Sequence, residues 1–223
     1  MSEKKKKSIS FSEYSCYLQC PHKWYLNYYL RLPSETNEEL IFGSTVHATI
    51  EALLGSKLEQ KMYAAMPEQT VRDIFKRCLK KELENVKDIH FLTKFNNKEL
   101  GKIFMFQASK LIVKLDFFKR FKDYEVAEVE VKLDGMPLVS TDEVDITYKG
   151  FVDLILRHKV TGKLLILDWK TSGKAWDIKQ KMKDNENFFA QLCLYKYYYA
   201  QMKGLELKQI GTKFYNLPRN EPD

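Results

Sequence analysis

The sequence contains no run approaching the roughly 18 consecutive apolar residues that a bilayer-spanning helix requires. No apolar stretch follows the lysines Lys4 to Lys7, so no secretory leader is read there. The expectation from both absences is a soluble, intracellular, cytoplasmic protein without a membrane partner. Cysteine is scarce: Cys16, Cys20, Cys78 and Cys193 are the whole complement. Without a secretory context they read as free thiols, which excludes a disulfide frame. Cys16 and Cys20, four apart, share a helical face, while Cys78 and Cys193 sit in apolar helical patterns and read as small buried hydrophobes. No internal repeat is found, and no Gly-x-x-x-x-Gly-Lys-[Ser/Thr] phosphate loop occurs, so the chain has no nucleotide-driven motor of its own.

What is present is enough apolar material for a core, 44% of 223 residues, carried with a formal charge of +7. A basic balance favours anionic partners, nucleic acid before a membrane surface. Residues 1–9 read as a disordered basic tail, and residues 10–223 as a single domain. Within it a helical part over about 10–122 precedes a sheet core over about 124–215.

Ser10 or Ser12 caps a first, aromatic-rich helix running to about Tyr29, and Pro33, Ser34 and Asn37 read as a loop. A second helix spans Gly43 to Met62. A third opens at Pro67, and a fourth runs from Lys98 to Phe121 after the polar break at Asn96 and Asn97. The fourth has apolar residues around much of its circumference and reads as substantially buried. The aromatics of residues 43–121 suit either the core or base stacking over a strand channel. From Val126 to Leu133 apolar and polar residues alternate, with Glu128, Glu130 and Lys132 on one face. Strands follow at 144–157 and Leu164–Trp169, joined as a hairpin, then a helix over Asn185–Met202 and a strand over Ile210–Tyr215. The fold class is therefore α/β or α+β, with a mixed central sheet under helical cover.

Chemistry concentrates where strands end. Asp168 and Lys170 are two apart on an apolar strand and so point to one face, placing a carboxylate beside an ammonium. Asp153 interrupts the apolar run Phe151 to Leu156 and wants a cation or a donor. If the two carboxylates meet across the hairpin, they repel unless they share a proton or a divalent cation, for which Mg2+ is suited. His47 follows Gly43 by four residues, and an imidazole suits Mn2+ better than Mg2+. Gln191 and Tyr195 share a helical face and carry groups that can reach phosphate oxygens.

The ordered set Gly43-x-x-x-His47, Glu128/Glu130, Gly150-x-x-Asp153, Asp168-x-Lys170 and Gln191-x-x-x-Tyr195 resembles the RecB-like branch of the PD-(D/E)XK nucleases. That branch includes the nuclease domains of helicase–nucleases and the CRISPR-associated exonucleases. The segment Ser12-x-x-Ser15-x-x-x-Gln19-Cys20-Pro21-x-x-Trp24 is similar to that branch's N-terminal helix. The resemblance implies a restriction-endonuclease-like core and a metal-dependent DNA nuclease, an exonuclease or an end- or flap-processing enzyme of replication, recombination, repair or phage DNA metabolism. It implies one or two Mg2+ or Mn2+ ions held by Asp153, Asp168, His47 and the main-chain carbonyl of Trp169. Lys170 would activate water or stabilise developing charge. Glu128 or Glu130, with Glu130 favoured, would be the upstream acid. Gln191 and Tyr195 would support the substrate or the lysine, and with Thr171 and Lys23 they form the expected nucleic-acid-binding set. Lacking a phosphate loop, the chain would depend on a helicase or recombination partner for unwinding. Relatives with an iron–sulfur cluster use a cysteine near Cys20 and three near the C-terminus; no cysteine follows Cys193 here, so no cluster is expected unless the natural chain continues past Asp223. The competing expectation is a non-catalytic nucleic-acid-binding module that keeps the fold.

Overall fold

The computed structural model describes residues 5–33, 36–55, 67–95, 98–184 and 187–219. The described residues open with a strand, β1 (Lys5–Ser10), where a disordered basic tail over residues 1–9 is the sequence expectation; residues 1–4 lie outside the described set. The correction has a physical cause: β1 lies parallel to β3 (Val144–His158) in a run of pairs from Lys5–Val144 to Ser10–Lys149, which satisfies backbone that a free tail would leave to water. Ser10 then caps α1 (Phe11–Gln19), its hydroxyl accepting from the Glu13 amide at 3.2 Å. The aromatic first helix is broken rather than continuous. The chain is extended at Cys20, whose sulfur accepts from the Lys23 amide, and Pro21 starts α2 (Pro21–Trp24), which runs into a π-helical turn, Tyr25–Tyr29. Cys20 is exposed, and Cys193 is exposed rather than buried; Cys78 packs at the edge of the core.

Helix α3 (Glu38–Gly55) begins earlier than its apolar stripe suggests, and the expected continuation to Met62 lies outside the described residues, as does the break at Asn96 and Asn97. It packs with α4 (Glu68–Glu84) and α6 (Lys98–Leu115), and the short α5 (Ile89–Phe95) lies against α6. The expected fourth helix stops short, because Asp116 takes a left-handed conformation (φ 42°) and α7 (Phe117–Arg120) restarts beyond it. Nor is α6 buried all round: Phe104, Ala108 and Ile112 are inside, while Ile103, Phe106 and Val113 are exposed. Phe75, Phe91, Phe104 and Phe117 are core side chains, so the stacking role considered for aromatics in this stretch is not theirs.

The sheet holds β2 (Tyr124–Ser140), β3, β4 (Leu164–Ser172) and β5 (Ile210–Pro218) besides β1. The order is β1-β3-β4-β5, with β2 antiparallel along the other edge of β3; β3 and β4 are antiparallel, and β4 and β5 parallel. The β3–β4 hairpin closes on Gly162, whose φ of 67° suits glycine. Between β4 and β5, α8 (Ile178–Asp184) and α9 (Ala190–Lys203) replace the one expected helix, and residues 185 and 186 lie outside the described set. Helices α3, α4 and α6 cover one face of the sheet and α9 the other. Adjacent β4 residues divide accordingly: Leu167 and Trp169 enter the first core and Ile166 the second.

One close approach ties α3 to the sheet. A Cβ added at Gly43 would stand 2.8 Å from Thr171 Oγ1, inside any tolerable contact. Gly43→Ala should therefore cost about 1–3 kcal/mol of unfolding free energy. Adding Thr171→Ala should recover part of that loss in a double-mutant cycle read by chemical denaturation.

Candidate active site

Strand β3 shares one edge between two partners. It pairs with β1 as far as Ser10–Lys149 and with β4 only from Leu154–Leu167 onward. The stretch between, Gly150 to Asp153, is where the two neighbours part. One step past the Leu154–Leu167 pair, toward that fork, stand Asp153 on β3 and Asp168 on β4. The Trp169 amide donates to Asp153 Oδ2 at 2.7 Å and bridges the parting strands.

The alternation of faces slips at the same place. Val152 and Ile155 enter the α9-side core, whereas Leu154 and Leu156 enter the α3-side core. On β2, Glu130 stands opposite Asp153, between the pairs Val129–Leu154 and Val131–Val152. Its φ is 50°, a left-handed backbone that a non-glycine residue holds only under structural constraint. The turned backbone brings Glu130 under the influence of Asp153, Glu51 and His47. Glu128 goes elsewhere: a bulge between Val126 and Glu128 sends it toward α9, where it accepts from the Tyr199 hydroxyl and, at 2.9 Å, from Lys203 Nζ. The two glutamates do not share a face as simple alternation predicts. Of the two, Glu130 is the one beside Asp153.

His47 comes from α3, and its Nδ1 lies 3.5 Å from Asp153 Oδ2. Burial alone would lower the imidazole pKa; the hydrogen bond and charge of Asp153, with Asp168 behind it, outweigh that and raise it. On the α9 side, Asp168 is 2% exposed, and its Oδ2 meets Lys170 Nζ at 2.7 Å. Burial pushes the Asp168 carboxyl up, Lys170 pulls it back, and Asp153 pushes it up again. Lys170 Nζ also donates to Gln191 Oε1 at 3.0 Å, and Gln191 Nε2 donates to the Tyr195 hydroxyl at 2.8 Å. The i, i+4 pair read from the sequence is thus a support behind the lysine. Tyr195 is 5% exposed, and its hydroxyl accepts from Gln191. Thr171 lies on the opposite face of β4 from Lys170, against Gly43, and Lys23 stands exposed on α2, outside this hydrogen-bonded chain.

Four contributors escaped the sequence reading. Asn216, paired across from Lys170 on β5, donates to the Lys170 carbonyl at 3.1 Å and to Ser172 Oγ at 2.6 Å; a lone amide near the end of that strand was its only signal. The Phe214 ring lies 5.5 Å from Lys170 Nζ. Glu51, one helical turn beyond His47, adds negative charge to Glu130. Tyr148 is buried, and its hydroxyl has no hydrogen-bond partner among the described residues; the Asp168 charge raises its pKa further after burial has done so. A Cβ at Gly150 would stand 2.9 Å from that hydroxyl and 3.0 Å from Tyr195 Cε1, which accounts for glycine there.

Among the described residues no three His, Cys, Asp or Glu side chains close into a ready-made metal cage. Asp153 instead accepts from the Trp169 amide and lies against His47, and Asp168 is ion-paired with Lys170. The donor chemistry nonetheless fits a hard divalent cation, since Asp153, Asp168 and Glu130 crowd one another with negative charge and an imidazole adjoins them.

That crowding has a pH signature. Desolvation, then Asp153 and Glu51, raise Glu130 to about 7, although its exposure lets water screen part of the effect. Asp168 and His47 are raised as well. All three bind protons more tightly folded than unfolded, so their stabilisation is complete below the unfolded pKa values and is lost as pH rises through the folded ones, about 6 for Asp168 and about 7 for Glu130. Thermal unfolding with a chelator present should show a melting temperature that falls between about pH 5 and pH 8. Asp153→Asn, which removes the charge that raises its neighbours, should flatten that slope.

No curated protein matches the chain. The family model of the PD-(D/E)XK nuclease superfamily matches residues 8–222, essentially every element that builds the fork and its supports, and the chain belongs to that superfamily.

Proposed function

We propose that this nuclease hydrolyses phosphodiester bonds of DNA with one or two Mg2+ or Mn2+ ions, as an exonuclease or an end- or flap-processing enzyme. The superfamily uses divalent metals, typically these two. The observation that carries the reading is the half-exposed Lys170 ammonium, ion-paired to buried Asp168 and steadied by Gln191 beside Asp153 at the strand fork.

Asp153, Asp168, His47 and the Trp169 carbonyl would hold the ion, with Glu130 the upstream acid. When bound, a divalent ion polarises the phosphate and acidifies water. The chain's own contribution is placement. The Lys170 side chain is 31% exposed while that of Asp168 is 2% exposed, so the ammonium reaches outward from a buried carboxylate that fixes its root. It holds a water for attack and sets positive charge where the phosphate gains negative charge. Gln191 fixes the ammonium's direction, and Tyr195 fixes Gln191. A role in replication, recombination, repair or phage DNA metabolism, with a helicase or recombination partner for unwinding, follows from the same reading.

The test is digestion of end-labelled linear and closed circular DNA with each metal. Linear DNA should be shortened from its ends, and circular DNA spared. Lys170→Ala should lower the rate by about 10²–10³-fold, and Asp168→Ala should abolish cleavage, both with DNA binding largely kept. Gln191→Ala, acting through the lysine, should cost about 10–100-fold. Wild-type protein that cuts no DNA with either metal would leave a non-catalytic nucleic-acid-binding module as the reading.

A further inference from the structure

The segment from β1 to Pro33 carries an exposed aromatic surface that the site described above does not use. Tyr14, Tyr17, Tyr25 and Tyr29 are 44%, 48%, 42% and 66% exposed, on α1 and the π-helical turn. Tyr25 and Tyr29 already stack on each other, with ring centroids 5.1 Å apart and planes 16° from parallel. Exposed aromatic patches with polar surroundings mark interaction surfaces.

The surface is braced. Glu13, 6% exposed, accepts from Trp24 Nε1 at 3.2 Å and pairs with Lys7 Nζ at 2.9 Å, and Lys7 lies 4.8 Å from the centroid of the Trp24 ring. That network locks α1, α2 and the end of β1 together. Tyr17 meets Trp24 edge-on at 5.5 Å, so the outward rings stand on a fixed base. The interruption of α-helical pitch at Tyr25–Tyr29 is of a kind often found at functional sites.

Its charge is one-sided. Residues 5–33 hold Lys5, Lys6, Lys7, Lys23 and Arg31 against Glu13 alone, a net +4 in a chain of +7. The one acid is turned inward and spent on Lys7 and Trp24. Its place is also informative. Ser10 pairs with Lys149 at the last step before the fork, and Phe11 packs on the core cluster that contains Tyr148, Val152 and Tyr195. The aromatic surface therefore springs from the rim of the gap that holds Asp153.

We propose that this surface is a stacking platform for single-stranded DNA, which it delivers to the fork. Unpaired bases present free faces to Tyr25 and Tyr29, while Lys23 and Arg31, which flank them in the chain, take the phosphates. Duplex DNA offers the phosphates but not the faces, so the platform selects single strands or frayed ends. This deepens the nuclease reading and rests on it for what happens once the strand arrives.

The experiment measures binding apart from cleavage. Fluorescence anisotropy of a labelled oligothymidylate and of a blunt duplex is recorded with a chelator present, for wild type, Tyr25→Ala/Tyr29→Ala and Tyr25→Phe/Tyr29→Phe. The alanine pair should weaken oligothymidylate binding by about ten-fold for each ring that holds a base and leave duplex binding within about two-fold. The phenylalanine pair, which keeps the ring faces, should bind like wild type and also guards against misfolding. Unchanged oligothymidylate affinity in the alanine pair would overturn the proposal. So would equal loss on both DNAs, or self-association of wild type that the alanine pair abolishes on a sizing column. If the tyrosines matter for binding yet wild type cuts nothing with metal, the nuclease reading fails and the platform stands.

Discussion

The site depends on β3 having one edge and two neighbours. A strand that kept β4 along its whole length would hold Asp153 and Asp168 in a continuous ladder, with no gap between the strands beside them. Because β1 takes over beyond Lys149, the β3–β4 ladder ends at Leu154 and Leu167, and the next residues on both strands are the acids. The same slip reverses which way neighbouring side chains face. Val152 and Leu154 serve opposite cores although they are two apart. A regular strand does not allow this. The irregularity on β3 is matched on β2, where Glu130 takes the left-handed backbone opposite Asp153.

The electrostatics follow from that geometry. Three carboxylates approach one another at the end of an apolar strand, and burial adds to their mutual repulsion. The fold meets this with donors rather than distance. The Trp169 amide, the His47 ring and the Lys170 ammonium each answer an acid, and every one comes from a different packing relationship: the adjacent strand, α3, and the face toward α9. The anchors are steric as well as polar. Gly43 lets α3 come close enough to β4 for His47 to reach Asp153, and Gly150 leaves room for Tyr148 and Tyr195.

Much of this was legible in the sequence. The apolar run into Asp168-Trp169-Lys170 announced a central strand with chemistry at its tip, and strand periodicity alone placed Asp168 and Lys170 on one side. The i, i+4 spacing of Gln191 and Tyr195 gave their common face, though only packing shows that it turns toward Lys170 and not toward solvent. Three features left no local trace. A strand made of Lys5, Lys6 and Lys7 contradicts composition and exists because β3 has a free edge for it. The parting of Glu128 from Glu130 needs a bulge and a left-handed residue, neither of which an alternating pattern encodes. Tyr148 looks like any strand tyrosine until its hydroxyl is found buried near Asp168.

The placement of β1 also has a consequence for how the chain folds. Strand β1 pairs with residues that lie 139 positions later in the chain (Lys5 with Val144), so during synthesis it waits for its partner. Contacts of such sequence separation form late and slow folding. A strand kept waiting is an open edge to which other chains can add. Lys5, Lys6 and Lys7 give that edge a run of like charge, which repels a second copy of itself until β3 arrives to cover it. The lysines that disguise the strand in the sequence are thus also what keeps it single until the sheet is ready.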